Sequence, residues 1–145
     1  MKTLDEIFKH TLKDIYYAET ALTKALPKMV SAAGNAELKA AFAHHLEETR
    51  GQIKMLDKVF ASVGEKAAGE KCDAIEGLIK EADGLMKDAS GVALDAALIG
   101  AAQAVEHYEI PAMAPCANGP AHSVMPRHMI CCRRFWIRKR PQMRL

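Results

Sequence analysis

Carboxylate side chains occur where helical spacing would turn them toward the inside of a bundle. Glu19 follows Ile15 and precedes Leu22 in a run of apolar residues spaced three and four apart. That spacing marks the buried face of a helix. An ionised carboxylate buried alone is unfavourable by several kcal/mol. We therefore expect Glu19 to extend to solvent, to pair with a cation on another helix, or to bind a metal ion.

The same anomaly recurs in two later helical segments. His45 and Gln52 lie on a buried face, and Glu48 lies beside it at spacings of three and four from them. Glu106 and Glu109 are three residues apart and project from one side of a helix. Like charges at that distance repel unless a cation lies between them or one is protonated. His45 has a second interpretation, as a core histidine bonded to a backbone carbonyl.

Carboxylates inside a helical bundle are typical of di-iron and di-manganese sites. Oxygen ligands with an occasional imidazole favour iron or manganese over zinc or copper(I). The usual Glu-x-x-His pattern is absent, and only the reversed His45-x-x-Glu48 occurs. The spacing alone leaves open both a metal site and salt bridges between helices.

Four amphipathic helices must position these groups. The apolar spacing predicts helices over residues 3–32, 36–63, 72–87 and 92–110, joined by short polar links. Thr3 and Glu6 form a capping box at the start of the first helix, which Pro27 should kink without ending. The sequence lacks the apolar alternation of period two that would indicate a strand. The prediction is an all-α, antiparallel four-helix bundle formed by residues 1–110.

The composition agrees with this fold class. Half of the 145 residues are apolar and only 6% are aromatic, which favours helices over strands. The chain has no apolar run long enough for a membrane span, and its N-terminus lacks the apolar core of a signal peptide. We expect a cytoplasmic protein without a membrane partner. The four cysteines lack CxxC spacing and are predicted to be free thiols: Cys72, Cys116, Cys131 and Cys132.

Four segments resemble, in order, the YciF family of ferritin-like bacterial stress proteins: LKDIYYAETALTKALPKM, FAHHLEETRGQIKMLDKVF, KCDAIEGLIKEAD and DAALIGAAQAVEHYEI. The resemblance covers nearly all of residues 1–110. It implies a ferritin-like, dimerising bundle with a two-metal centre and no established substrate. It also implies metal ligands, with His45 or Gln52 as the less secure donor: Glu19, Glu48, Glu106, Glu109 and His45.

The tail, residues 111–145, departs from that pattern. All 18 Asp and Glu residues precede it, and its charged residues are all basic. Five prolines interrupt any continuous helix: Pro111, Pro115, Pro120, Pro126 and Pro141. Members of the family continue here into another helix with further acidic residues.

A shift of the reading frame accounts for the tail. If the frame moves back by one nucleotide, the first base of each codon becomes the middle base, which largely sets polarity. The codons of Cys131, Cys132, Phe135 and Trp136 begin with T, so each becomes apolar. We interpret residues 111–145 as an irregular, frameshifted tail that replaces the last helix. The metal site of this chain is then incomplete.

Three functions compete at this point. The first is a ferritin-like stress protein that binds iron or manganese, with oxidase-type activity toward iron or peroxide only where the family fold is intact. The second is a non-catalytic helical module that dimerises or binds a partner, with its carboxylates in salt bridges. The third, nucleic-acid binding through the basic tail, is disfavoured by the acidic bundle. We expect a homodimer, and the sequence leaves any small-molecule substrate undefined.

Overall fold

The computed structural model describes residues 3–112, which form four α-helices: α1 (Leu4–Ala32), α2 (Ala36–Ser62), α3 (Asp73–Asp88) and α4 (Gly91–Ala112). This part of the chain contains no strand. The predicted all-α bundle is confirmed, with helix bounds that differ by no more than two residues. The predicted frameshifted tail lies outside the described residues apart from its first two, which belong to α4.

Local side-chain bonds set the starts of the two long helices. Thr3 Oγ1 accepts from the Glu6 amide and Glu6 accepts from the Thr3 amide, both at 3.2 Å, so the predicted capping box is present. At the start of α2, Asn35 Oδ1 accepts from the amides of Glu37 and Leu38 at 2.8 and 3.1 Å. These bonds satisfy amides that have no partner within the helix. α1 continues through Pro27, as predicted.

Two contacts fix the connections between helices. The Asp95 carboxylate of α4 accepts from the amides of Gly34 and Asn35, at 2.7 and 3.0 Å, and so holds the α1–α2 turn against α4. In the link before α3, a Cβ on Gly69 would lie 2.9 Å from the Cα of Tyr17. Only glycine permits this close approach, so the link lies directly on α1.

The apolar core consists of two clusters. The larger cluster draws on all four helices and includes Leu22 and Phe42. The smaller one lies between the N-terminal part of α1 and the C-terminal part of α2, and it includes Ile15 and Leu56. Glu19 falls between Ile15 and Leu22 along α1, so a polar layer separates the two clusters.

Candidate metal centre

Three glutamates of this layer are withdrawn from solvent. Glu19 on α1 and Glu109 on α4 are 0% exposed, and Glu106 is 2% exposed. Within residues 3–112 no lysine or arginine is buried. Burial disfavours the ionised form of a carboxylate, and a proton or a nearby cation offsets that effect. The buried layer is therefore a set of oxygen donors whose charge a bound cation or a proton would stabilise.

α2 contributes a row of polar side chains that meets these carboxylates. With its amide nitrogen turned toward α1, Gln52 donates to both carboxylate oxygens of Glu19 at 3.1 Å. His45 Nε2 lies 2.9 Å from Glu106 Oε1, and the imidazole side chain is only 13% exposed. α2 thus connects a carboxylate of α1 at one end of the row with a carboxylate of α4 at the other.

Thr49 lies between those two residues on the same face of α2. It is 0% exposed, and within residues 3–112 its hydroxyl has no hydrogen-bond partner. The apolar spacing places Thr49 on the buried face but assigns it no role, because threonine is not a usual ligand for iron or manganese. The signal available in the sequence is its position, four residues after His45 and three before Gln52.

The structure places Glu48 differently from the other predicted ligands. Its side chain is 34% exposed, and one oxygen lies 3.6 Å from Nε2 of His44, a neighbour on the outer side of α2. Because Glu48 precedes Thr49 directly, its side chain leaves the helix about 100° away from the buried row. Glu48 lies at the edge of the polar layer, whereas Glu19, Glu106 and Glu109 lie inside it.

A thiol–phenol pair extends the polar layer on α4. Tyr108 Oη lies 2.9 Å from Sγ of Cys72, a buried free cysteine that precedes α3. The pKa of Tyr108 is raised well above its usual value, first by desolvation and then by the bond to Cys72. The negative charges of Asp14 and Glu109 raise it further. The phenol therefore remains protonated at neutral pH.

A small cavity borders the polar layer at His45. Its volume is ≈ 20 Å³, and apolar side chains of α1, α3 and α4 form most of the remaining wall, including Leu26, Met29, Leu78 and Val105. A space of that size holds about one water molecule. The cavity brings a water-sized volume next to the imidazole that contacts Glu106.

The donor chemistry fits iron or manganese, since buried carboxylates and one imidazole are the ligands that these ions prefer. The positions of these donors fit a metal site less well than their chemistry does. Within residues 3–112, no three His, Cys, Asp or Glu side chains converge closely enough to hold a metal ion. The structure instead joins the predicted ligands two by two, through the Gln52–Glu19 and His45–Glu106 contacts.

Comparisons with known proteins identify relatives of the whole bundle. Residues 3–113 match the family described as Domain of unknown function (DUF892). Protein YciF of Escherichia coli strain K12 is 47% identical over 120 residues, which are 81% of this chain and 72% of that protein.

None of the helices within residues 3–112 has the length and apolar character needed to cross a membrane.

Two solved structures share the fold. YcfI from Rhodopseudomonas palustris matches with a TM-score of 0.92 and 39% identity, over 99% of this chain and 92% of its own. The crystal structure of the E. coli stress protein YciF matches with a TM-score of 0.90 and 39% identity, over 99% of this chain and 91% of its own. With this sequence identity and the shared helical bundle, the chain belongs to the YciF-like DUF892 family.

Proposed function

We propose that this chain is a cytoplasmic stress-response protein that binds iron or manganese through the buried carboxylates of its helical bundle. The observation that carries the proposal is the burial of Glu19, Glu106 and Glu109, on two helices, next to the imidazole of His45. These four residues form the proposed inner donor set. Glu48, at the edge of the polar layer, is an additional predicted donor.

Three buried carboxylates are an unusual feature for a helical core. Replacing buried ionic groups with apolar side chains of similar volume is often neutral or stabilising. Carboxylates that lie between two apolar clusters therefore favour a ligand rather than stability. Bound iron or manganese would supply a Lewis acid and, in the case of iron, redox chemistry toward oxygen species. The chain itself excludes bulk water and orients the oxygen donors.

The family relationship supports the physiological setting, because the E. coli relative is a stress protein by its own description. We also propose that residues 111–145 fail to supply the ligands expected from a further helix. This chain would then bind metal more weakly than one whose reading frame is restored, and oxidase-type activity would require the restored chain.

Equilibrium dialysis with elemental analysis tests the metal site. The chain is dialysed against Mn²⁺, anaerobic Fe²⁺ or Co²⁺, and bound metal is measured for the wild type, Glu19→Gln and Glu106→Gln. Each substitution keeps the shape of the side chain and removes one anionic ligand. We expect at least a tenfold loss of affinity in both variants. Glu81→Gln, on an exposed position of α3, is the matched control and should bind as the wild type does.

One observation favours the second function, a non-catalytic helical module. The Gln52–Glu19 bonds, and the His45 imidazole 2.9 Å from Glu106, give two of the carboxylates a polar neighbour without metal. If the wild type and both glutamine variants retain the same amount of metal, the module is the better description. The proposed homodimer is tested separately by sedimentation, at several protein concentrations and with and without metal.

A further inference from the structure

We propose that the Thr49 hydroxyl is the binding group for a small oxygen ligand, of the size of water or peroxide, at the carboxylate site. This inference rests on the proposed metal-binding function and adds a residue that the metal-ligand set does not contain. Thr49 would act as a hydrogen-bond donor to the ligand and not as a metal ligand itself.

The Thr49 side chain carries a buried polar group. Thr49 is 0% exposed, and its Oγ1 has no hydrogen-bond partner within residues 3–112. A buried hydroxyl without a partner is unfavourable, and the isosteric valine avoids that penalty. The proposed ligand supplies the partner that this hydroxyl lacks among residues 3–112.

Four other helical hydroxyls donate to the backbone of their own helix. A serine or threonine inside a helix commonly donates to the carbonyl three or four residues earlier. Thr20, Thr23, Ser31 and Ser62 do so, at 2.8, 2.7, 3.0 and 2.6 Å. Thr49 lies in the middle of α2 and makes no such bond. The hydroxyl is thus available to a ligand, although the backbone carbonyl one turn earlier in α2 could accept its hydrogen bond.

Thr49 lies within the row of polar side chains on α2. Residues spaced three or four apart share one face of a helix, so Thr49 lies between His45 and Gln52 in the row that faces the bundle interior. His45 contacts Glu106 on α4, and Gln52 contacts Glu19 on α1. A ligand held between those carboxylates would come within reach of the hydroxyl between them.

The cavity beside His45 limits the size of a ligand. The cavity beside His45 has a volume of ≈ 20 Å³ and a mostly apolar wall. That volume accepts a molecule about as large as water and excludes an organic substrate. Thr49 does not line this cavity but follows His45, which does, by one helical turn on the same face of α2. A hydroxyl there would donate to a small molecule that carries an oxygen acceptor.

The test uses Co²⁺-loaded protein with azide as a probe of the exogenous ligand position, followed by visible absorption. We compare the wild type with Thr49→Val, which keeps the shape but removes the hydroxyl, and Thr49→Ser, which restores it. Loss of one hydrogen bond predicts an azide affinity that is about 2- to 10-fold weaker in Thr49→Val. Thr49→Ser should return most of that affinity, and the Co²⁺ stoichiometry should be unchanged in both variants.

Two controls separate ligand binding from a structural role. Thr23→Val removes a hydroxyl that already donates to the Thr20 carbonyl, and it should leave azide binding unchanged. The melting temperature of metal-free Thr49→Val should equal or exceed that of the wild type. Binding of Co²⁺ with equal azide affinity in the wild type and Thr49→Val would overturn the role of Thr49 alone. Failure of the wild type to bind Co²⁺, Mn²⁺ or Fe²⁺ would overturn the proposed function, and this inference with it.

Discussion

The His45–Glu106 pair gives the most direct prediction about the polar layer. Nε2 and Oε1 are 2.9 Å apart, and the two side chains are 13% and 3% exposed. Removing one partner of a buried polar contact leaves the other group without it, which costs about 1–3 kcal/mol. Because the imidazole retains some exposure, we expect the lower part of that range, about 1–2 kcal/mol, from this contact for His45→Ala in metal-free protein.

The assay is urea denaturation followed by helical circular dichroism, in the presence of a chelator. His45→Ala also removes packing, so the pair must be isolated with a double-mutant cycle that includes Glu106→Gln and the double variant. We expect a coupling free energy of at least about 1 kcal/mol. Adding Mn²⁺ at 100 times its dissociation constant should stabilise the wild type by about 2.7 kcal/mol, and the double variant by much less.

Two outcomes would refute this reasoning. A coupling free energy below about 0.5 kcal/mol would mean that the short contact contributes no more than an exposed ion pair. Equal stabilisation of the wild type and the double variant by Mn²⁺ would mean that neither residue takes part in metal binding. The first outcome would leave the proposed metal binding intact, and the second would leave the His45–Glu106 contact intact.

Three further predictions follow from other parts of the molecule. Because the pKa of Tyr108 is raised in the folded state, the folded chain binds more protons than the unfolded chain above pH 10.0. The free energy of unfolding should therefore fall as the pH rises past that value. Denaturation experiments across alkaline pH should show a smaller fall for Tyr108→Phe. Gly69→Ala would bring a methyl group within 2.9 Å of Tyr17 and should destabilise the fold by about 1–3 kcal/mol. Gly77→Ala in α3 meets no atom within 4 Å and should stabilise the fold by up to about 1 kcal/mol. Urea denaturation of both variants checks these two expectations. A chain with residues 111–145 translated in the shifted frame should bind more Mn²⁺ per protomer in dialysis, and equal binding would contradict the interpretation of the tail.

The position of the polar layer bears on how the fold and the site depend on each other. Glu19 lies between two apolar clusters, so each cluster can pack without burying a carboxylate within it. The Asp95 bonds to the α1–α2 turn hold α4 against that turn. These bonds thus help to hold the helix that carries two of the buried carboxylates, Glu106 and Glu109.

The sequence by itself determined the helices and most of the buried set. Apolar spacing of three and four defines the inner face of each helix, and that periodicity depends only on the geometry of one helix. The burial of Glu19 could therefore be predicted without any knowledge of neighbouring helices. Glu106 and Glu109 lie beside the apolar face of α4, so their burial depends on those helices. The capping box at Thr3 could also be predicted, because its bonds are local.

Only the tertiary structure decided which groups meet. The Gln52–Glu19 and His45–Glu106 contacts depend on the rotation and axial position of α2 relative to α1 and α4, which no single helix encodes. Apolar spacing already puts Thr49 on the buried face with Glu48 beside it. The packing decides that Glu48 stays 34% exposed and that the Thr49 hydroxyl finds no hydrogen-bond partner within residues 3–112. A one-residue step moves a side chain about 100° around a helix, and that step separates a group inside the bundle from one at its surface.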